Sequence, residues 1–241
     1  MSFIGNKIKV TGLIVSRPIS IALLFIYLMQ VAFIGWMIWR YNERQLVITQ
    51  QNQKINDQNK KIEELEQKVK ILDVIQKNQI GFTKNEVNNL TNVVYTESQR
   101  YSLDPYLIIA VIISESTFKN HQCSDMGALG LMQIKPSTAK IIAAKWGMYW
   151  PGDRALSDPD FNIRLGTAYL FELLMKFKDI GEAVTAYNIG EAATDEYVSW
   201  GLVPPGQYFE RVRRIYHKLR SDVEDAGNSS DRDADFSIAS R

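Results

Sequence analysis

The sequence predicts a mainly α protein: an apolar N-terminal span, a polar helical stalk and one helical domain. Three observations carry that expectation. Residues 19–39 run without an ionisable group, residues 41–80 contain neither glycine nor proline, and no strand-like alternation of useful length follows. A chain of 241 residues suits one good core with appendages better than two large cores. The formal net charge of +1 leaves no basic excess to displace counterions from phosphates, so nucleic acid is not an expected partner. Cys123 is the sole cysteine, and His121 and His217 are the only histidines. That inventory predicts no intrachain disulfide, no metal and no cofactor.

Residues 1–18 are expected to be a cytoplasmic N-terminus and 19–39 a transmembrane anchor. At ~1.5 Å per residue this stretch spans roughly 30 Å, the hydrocarbon thickness of a bilayer. Trp36 and Trp39 sit at its far end, where amphipathic aromatics favour the interface. Trp-Met-Ile-Trp-Arg follows the apolar run instead of the small residues of a cleavage site. Lys7, Lys9 and Arg17 precede the span without an acidic residue among them, while Glu43 lies between Arg40 and Arg44 beyond it. The positive-inside rule therefore sends the rest of the chain to the periplasmic side.

Residues 40–81 form the stalk. Ile48, Ile55, Ile62 and Val69 recur every seventh residue, and Leu65 and Leu72 follow the last two by three. β-Branched residues at a with leucine at d favour a parallel two-stranded coil, whereas Gln51 and Gln58 at d weaken it. A homodimer through the stalk and a single solvated helix both remain open. Either would be a spacer of about 60 Å.

The globular part is expected over 82–220. Thr83 with Glu86 is a capping-box pattern opening a helix toward Arg100. Asp104-Pro105 opens the next, whose body from Leu107 to Ile113 is apolar on every side, as the central helix of a core would be. Further helices are expected near 137–146, 160–177, 180–188 and 205–219. Residues 221–241, with Asp222, Glu224, Asp225, Asp231, Asp233 and Asp235, predict a disordered acidic tail.

Glu115 stands at the end of the most apolar helix. Partial desolvation there would raise its pKa and keep it protonated near neutrality, which suits a general acid. Most glutamates at helix ends are solvated, so position alone does not mark it. The surrounding motifs do. Glu115-Ser116 and Phe118 are followed by Ser124-Asp125-Met126-Gly127-Ala128-Leu129-Gly130-Leu131-Met132-Gln133, then by Pro136-Ser137-Thr138-Ala139. Asp158-Pro159, Asn162-Ile163, Gly166-Thr167, Tyr169-Leu170 and Ala186-Tyr187-Asn188-Ile189-Gly190 come next, and Tyr208 with Val212 closes the set. In this order and spacing the chain resembles the catalytic domain of soluble-type (SLT) lytic transglycosylases, of the lysozyme-like superfamily.

The resemblance implies a lysozyme-like helical catalytic domain that acts on peptidoglycan glycan strands. It implies cleavage of the β-1,4 bond between N-acetylmuramic acid and N-acetylglucosamine without water, leaving 1,6-anhydro ends. Glu115 would act as acid and then base, and the substrate's N-acetyl group would replace a second carboxylate. By the same matching, Ser116 would bond near the carboxyl or the N-acetyl group, and Met132 and Gln133 would line the cleft. Tyr187 would orient Glu115 or substrate, Asn188 would hold the loop or a sugar, and Tyr208 would close the site. Gly127 and Gly130 would allow the backbone a tight path. Ile189 and Glu191 depart from the family pattern, and 191–207 look like a local variation.

Alternatives remain at this stage. A hydrolytic muramidase would need Asp125 or Asp153 to activate water. An inactive glycan-binding scaffold would use the stalk as its working part, and a Cys123–His121 nucleophile pair is conceivable. An anchored wall-cutting domain would suit secretion or conjugation machinery, or a membrane component of a phage virion that penetrates the envelope.

Overall fold

The computed structural model describes residues 17–119 and 123–239. Among these residues the protein is helical, with isolated β-bridges and no strand. The mainly α expectation holds. The helices are α1 (Arg17–Asn78), α2 (Lys84–Tyr101), α3 (Pro105–Ser116), α4 (Pro136–Lys145), α5 (Pro159–Phe177), α6 (Ile180–Ile189), α7 (Glu191–Ser199) and α8 (Gln207–Ala239), with a 3₁₀ turn at Asp153–Ser157. The chain divides into two compact units at Ile62/Glu63.

In the first unit α1 carries the apolar run. It is long and apolar enough to cross a membrane, and its side chains are exposed among the described residues. The contrast with α3 is instructive, because α3 is also strongly apolar yet its residues from Leu107 to Ile112 are buried. Large apolar side chains left bare over so many turns need a non-aqueous surrounding.

The second unit begins earlier than the sequence predicts. A domain start at residue 82 is corrected by the last turns of α1, where Ile71, Val74 and Ile75 lie in the domain core. Their i, i+3, i+4 spacing is a second apolar stripe on the same helix, separate from the heptad positions. Lys68 extends the contact, its Nζ standing 4.8 Å from the centroid of the Tyr95 ring.

α2, α3, α5 and α6 start on capping side chains. The Thr83–Glu86 capping box forms, Glu86 accepting from the Thr83 amide at 2.7 Å. Asp104, Asp158 and Asp179 each accept a backbone N–H in the first turn of α3, α5 and α6, and Pro105 and Pro159 take first helical positions. α7 escaped the sequence patterns because it has no side-chain cap and buries only Thr194. Lys176 of α5 secures it by bonding Glu191 at 2.7 Å and also Asp195.

α8 packs along α3 in the opposite sense: Tyr208 and Arg211 reach Glu115 and Ser114, while Tyr216 and Arg220 reach Asp104. Tyr208, Val212 and Leu219 form its buried stripe. α8 continues as helix to Ala239, through most of the residues that the sequence reads as an acidic tail. Adding turns to a helix already nucleated by packing costs far less than starting one, and no proline intervenes.

The early domain start generates a stability prediction. Ile75→Ala should lower unfolding free energy by about 2–5 kcal/mol in chemical denaturation. Gln67→Ala, at an exposed position two turns upstream on the same helix, should change it by no more than about 0.5 kcal/mol. Equal, small effects would mean that α1 does not belong to the domain core.

Candidate active site

The site begins where α3 runs out of core. Thr117 and Phe118 adopt left-handed backbone angles (φ 51° and 56°), so the helix stops directly after Glu115-Ser116. Phe118 is wholly buried and meets Phe82 edge-on at 6.4 Å, and its carbonyl accepts from the Ile80 amide at 3.1 Å. This plug fixes the end of α3 and therefore the position of Glu115.

Glu115 is half-buried. Burial raises its pKa, opposed by the hydrogen bond from Tyr208 and by the positive charge of Arg211. Its place at a helix C-terminus, where unpaired carbonyls point, further disfavours the anion. Tyr208 Oη donates to Glu115 Oε1 at 2.5 Å. Arg211 lies one turn further along α8, its guanidinium 5.1 Å from the Tyr208 ring centroid, and its Nε donates to Ser114 Oγ at 2.7 Å. α8 thus holds the carboxyl with one phenol and braces that phenol with one guanidinium. Burial and the Glu115 charge push the Tyr208 phenol far above its ordinary range, so it remains a donor at all working pH.

The Gly-Leu-Met-Gln segment forms a tight turn beneath the site. Leu129 and Ile134 exchange backbone bonds of 3.1 and 3.0 Å across it. Gly130 (φ 79°) is obligatory, since a Cβ there would stand 2.2 Å from Asn162 Nδ2 and 2.5 Å from the Leu156 carbonyl oxygen. Gly127 (φ 76°) needs glycine for its backbone angle alone, with open space around it. Asn162, fully buried on α5, accepts from the Met132 amide at 2.8 Å and donates to the Leu129 and Leu156 carbonyls at 2.8 and 3.1 Å. Tyr187 Oη donates to the Met132 carbonyl at 2.9 Å. Both polar groups of the Met132 peptide are therefore pinned from below.

Several expected roles shift accordingly. Ser116 faces inward, its Oγ donating to the Ile112 carbonyl at 3.0 Å, and does not point to the carboxyl. Met132 is wholly buried against Gly166 and Thr167, so it supports the turn and does not line a cleft. Tyr187 spends its proton on Met132 rather than Glu115, although the two are near enough for Glu115 to help raise the phenol's pKa after burial. Gln133 is half-buried, and its amide donates to the Gly130 carbonyl at 2.8 Å. Asn188 is exposed on the last turn of α6. Tyr208 touches the Glu115 carboxyl. Arg211 was missed, and its spacing three residues after Tyr208 was the available signal. Cys123 is exposed, and His121 lies outside the described residues.

The pinned turn gives a direct test. Asn162→Ala should strand the Met132 amide and two buried carbonyls, lowering stability by roughly 2–5 kcal/mol. Asn188→Ala should stay within about 0.5 kcal/mol in the same urea titration. An Asn162 variant as stable as the parent would show that the turn holds itself.

Residues 92–200 match the family described as "Transglycosylase SLT domain". The chain is 32% identical over 122 residues to the "Transglycosylase" of Enterobacteria phage PRD1, covering 49% of this chain and 41% of that one. It is 34% identical over 99 residues to "Membrane-bound lytic murein transglycosylase E" of Buchnera aphidicola subsp. Acyrthosiphon pisum, covering 40% and 45% respectively. Both matches span less than half of the relative's own length. An X-ray structure of an inactive mutant of lytic transglycosylase Slt from Pseudomonas aeruginosa aligns at 28% identity and a TM-score of 0.44, over 55% of this chain and 22% of that one. The family match over residues 92–200 takes in most of the motifs on which the sequence resemblance rests.

Proposed function

We propose that this domain cleaves the β-1,4 bond between N-acetylmuramic acid and N-acetylglucosamine in peptidoglycan without water, leaving a 1,6-anhydro end. The observation that carries the proposal is Glu115: a half-buried carboxyl with raised pKa, held by one hydrogen bond, inside an SLT domain. Tyr208 occupies Oε1, so the transferable proton rides on Oε2. That proton passes to the glycosidic oxygen as the C1–O bond breaks and the N-acetylglucosamine departs. The substrate's own N-acetyl oxygen stabilises positive charge at C1. The C6 hydroxyl then attacks C1, and its proton returns to Glu115. Tyr208 and Arg211 favour the carboxylate between the two transfers, when the negative charge exists.

A hydrolase would need a second carboxylate to activate water. Among the described residues the charged group acting on Glu115 is Arg211, and Asp125 and Asp153 are both exposed. These features favour the route in which the substrate supplies its own nucleophile. The apolar part of α1 would anchor the enzyme in a membrane with the domain on the periplasmic side. The membrane-bound and phage relatives support wall cleavage at an envelope, whether by a cell's secretion or conjugation apparatus or by an entering phage.

Two measurements test this. The full chain acting on purified sacculi should release fragments one water lighter than reducing-end products, read by mass spectrometry. Glu115→Gln should lower the rate by about 10²–10⁴-fold. Because a raised carboxyl pKa means the folded protein bears its charge at a cost above that pKa, Glu115→Gln should melt no lower than the parent at alkaline pH. Reducing ends would establish the hydrolase, and undiminished turnover would remove Glu115 from the chemistry.

The second measurement is the pH profile. Donation needs the protonated acid, so activity should fall as pH rises through the Glu115 pKa. Arg211 lowers that pKa. Arg211→Gln should therefore move the alkaline limb of kcat/KM to higher pH, while Arg211→Lys should restore much of the parent profile. A lower plateau with an unmoved limb would reduce Arg211 to a purely structural brace.

A further inference from the structure

The stalk part of α1 carries two apolar stripes on different faces. Ile71 and Ile75 enter the domain core at 1% and 0% exposure, whereas Leu65 and Val69 stay 50% and 63% exposed. Leu65 and Val69 lie about a third of a turn round the helix from Ile71 and Ile75. The exposed stripe continues upstream in Ile62, Ile55 and Ile48, all exposed. This bare stripe is the heptad seam.

Charges beside the seam say what covers it. With Ile48, Ile55, Ile62 and Val69 at a, position g holds Lys54, Lys61 and Lys68, and position e holds Asn59, Glu66 and Asp73. In a parallel pair, each g residue faces the following e residue of the other helix. Lys61 then meets glutamate and Lys68 meets aspartate. An antiparallel pair would set lysine against lysine and acid against acid. It would also place the apolar 19–39 runs at opposite ends, which two chains in one bilayer cannot do.

We infer that α1 pairs with α1 of a second copy of this chain as a parallel, in-register coiled coil over residues 48–69, Lys61 facing the partner's Glu66. Isoleucine and valine at a with Leu65 at d select two strands, while Leu72, the next d position, packs against the chain's own core. Gln51 and Gln58 at d make the upstream heptads the weaker ones, and confinement of both chains to one membrane compensates by raising their local concentration. Lys68 bonds Glu64 at 2.7 Å in its own chain and Asp73 bonds Lys77 at 2.7 Å, so the second pairing competes with existing ones. Lys61 and Glu66 are both exposed, and exposed ion pairs exchange partners at little cost. The inference stands independently of the reaction assigned to Glu115.

The test uses the full chain in lipid vesicles, in a Cys123→Ser background. Single cysteines at seam positions (Ile62→Cys, Val69→Cys) should form interchain disulfides on mild oxidation. Cysteines at outward positions (Glu63→Cys, Gln67→Cys) should not. With Ile62→Cys as reporter, Lys61→Glu and Glu66→Lys should each lose the crosslinked dimer, and the two together should recover it. Crosslinking at every position alike, at none, or without response to the charge changes would overturn the pairing.

Discussion

A helix that is apolar on every side must be enclosed on every side, and where the enclosure ends the helix must end too. α3 meets that condition at Glu115. Its residues from Leu107 to Ile112 are buried, and two left-handed residues stop it as soon as polar side chains begin. Phe118 then turns back into the core, so the stop cannot slide along the sequence. The acid is consequently delivered to the margin of the core by a helix buried along most of its length. Its proton affinity follows from where the core stops as much as from its neighbours.

α8 completes what α3 begins. Lying antiparallel, it brings Tyr208 to the carboxyl, while Tyr216 and Arg220 hold the far end through Asp104 at 2.8 and 3.0 Å. One aspartate therefore caps α3 and registers α8 against it. A shift of α8 by one turn would break both ends together. From the opposite side, Asn162 and Tyr187 tie α5 and α6 to the turn beneath the site, so three helices besides α3 contribute to its shape.

Much of this is legible in the sequence, because local chemistry decides it. Asp104 with the first-turn Pro105, and the Thr83–Glu86 pair, mark helix starts that the structure reproduces. The seamless apolar body of α3 marks the core. What the sequence does not disclose is direction. Ser116 and Glu115 are adjacent, yet one faces inward and the other outward, because successive helical residues lie about 100° apart. Met132 is buried because Gly166 leaves room for its sulfur, a long-range fact. α7 lacks an amphipathic signature since it buries a single threonine. The last turns of α1 read as stalk because the heptad masks a second stripe, and the polar tail is helical by continuation from a packed helix.

That second stripe sets a lower limit on what can be cut free. A soluble fragment trimmed at Phe82 would leave Ile71, Val74 and Ile75 behind, and the hollows they fill would open to water. A protease nick between Asn78 and Thr83 carries the same hazard if the two pieces part. The second compact unit begins at Glu63 and its core takes in Ile71, Val74 and Ile75, so part of the rod that looks like a tether is a structural member of the domain.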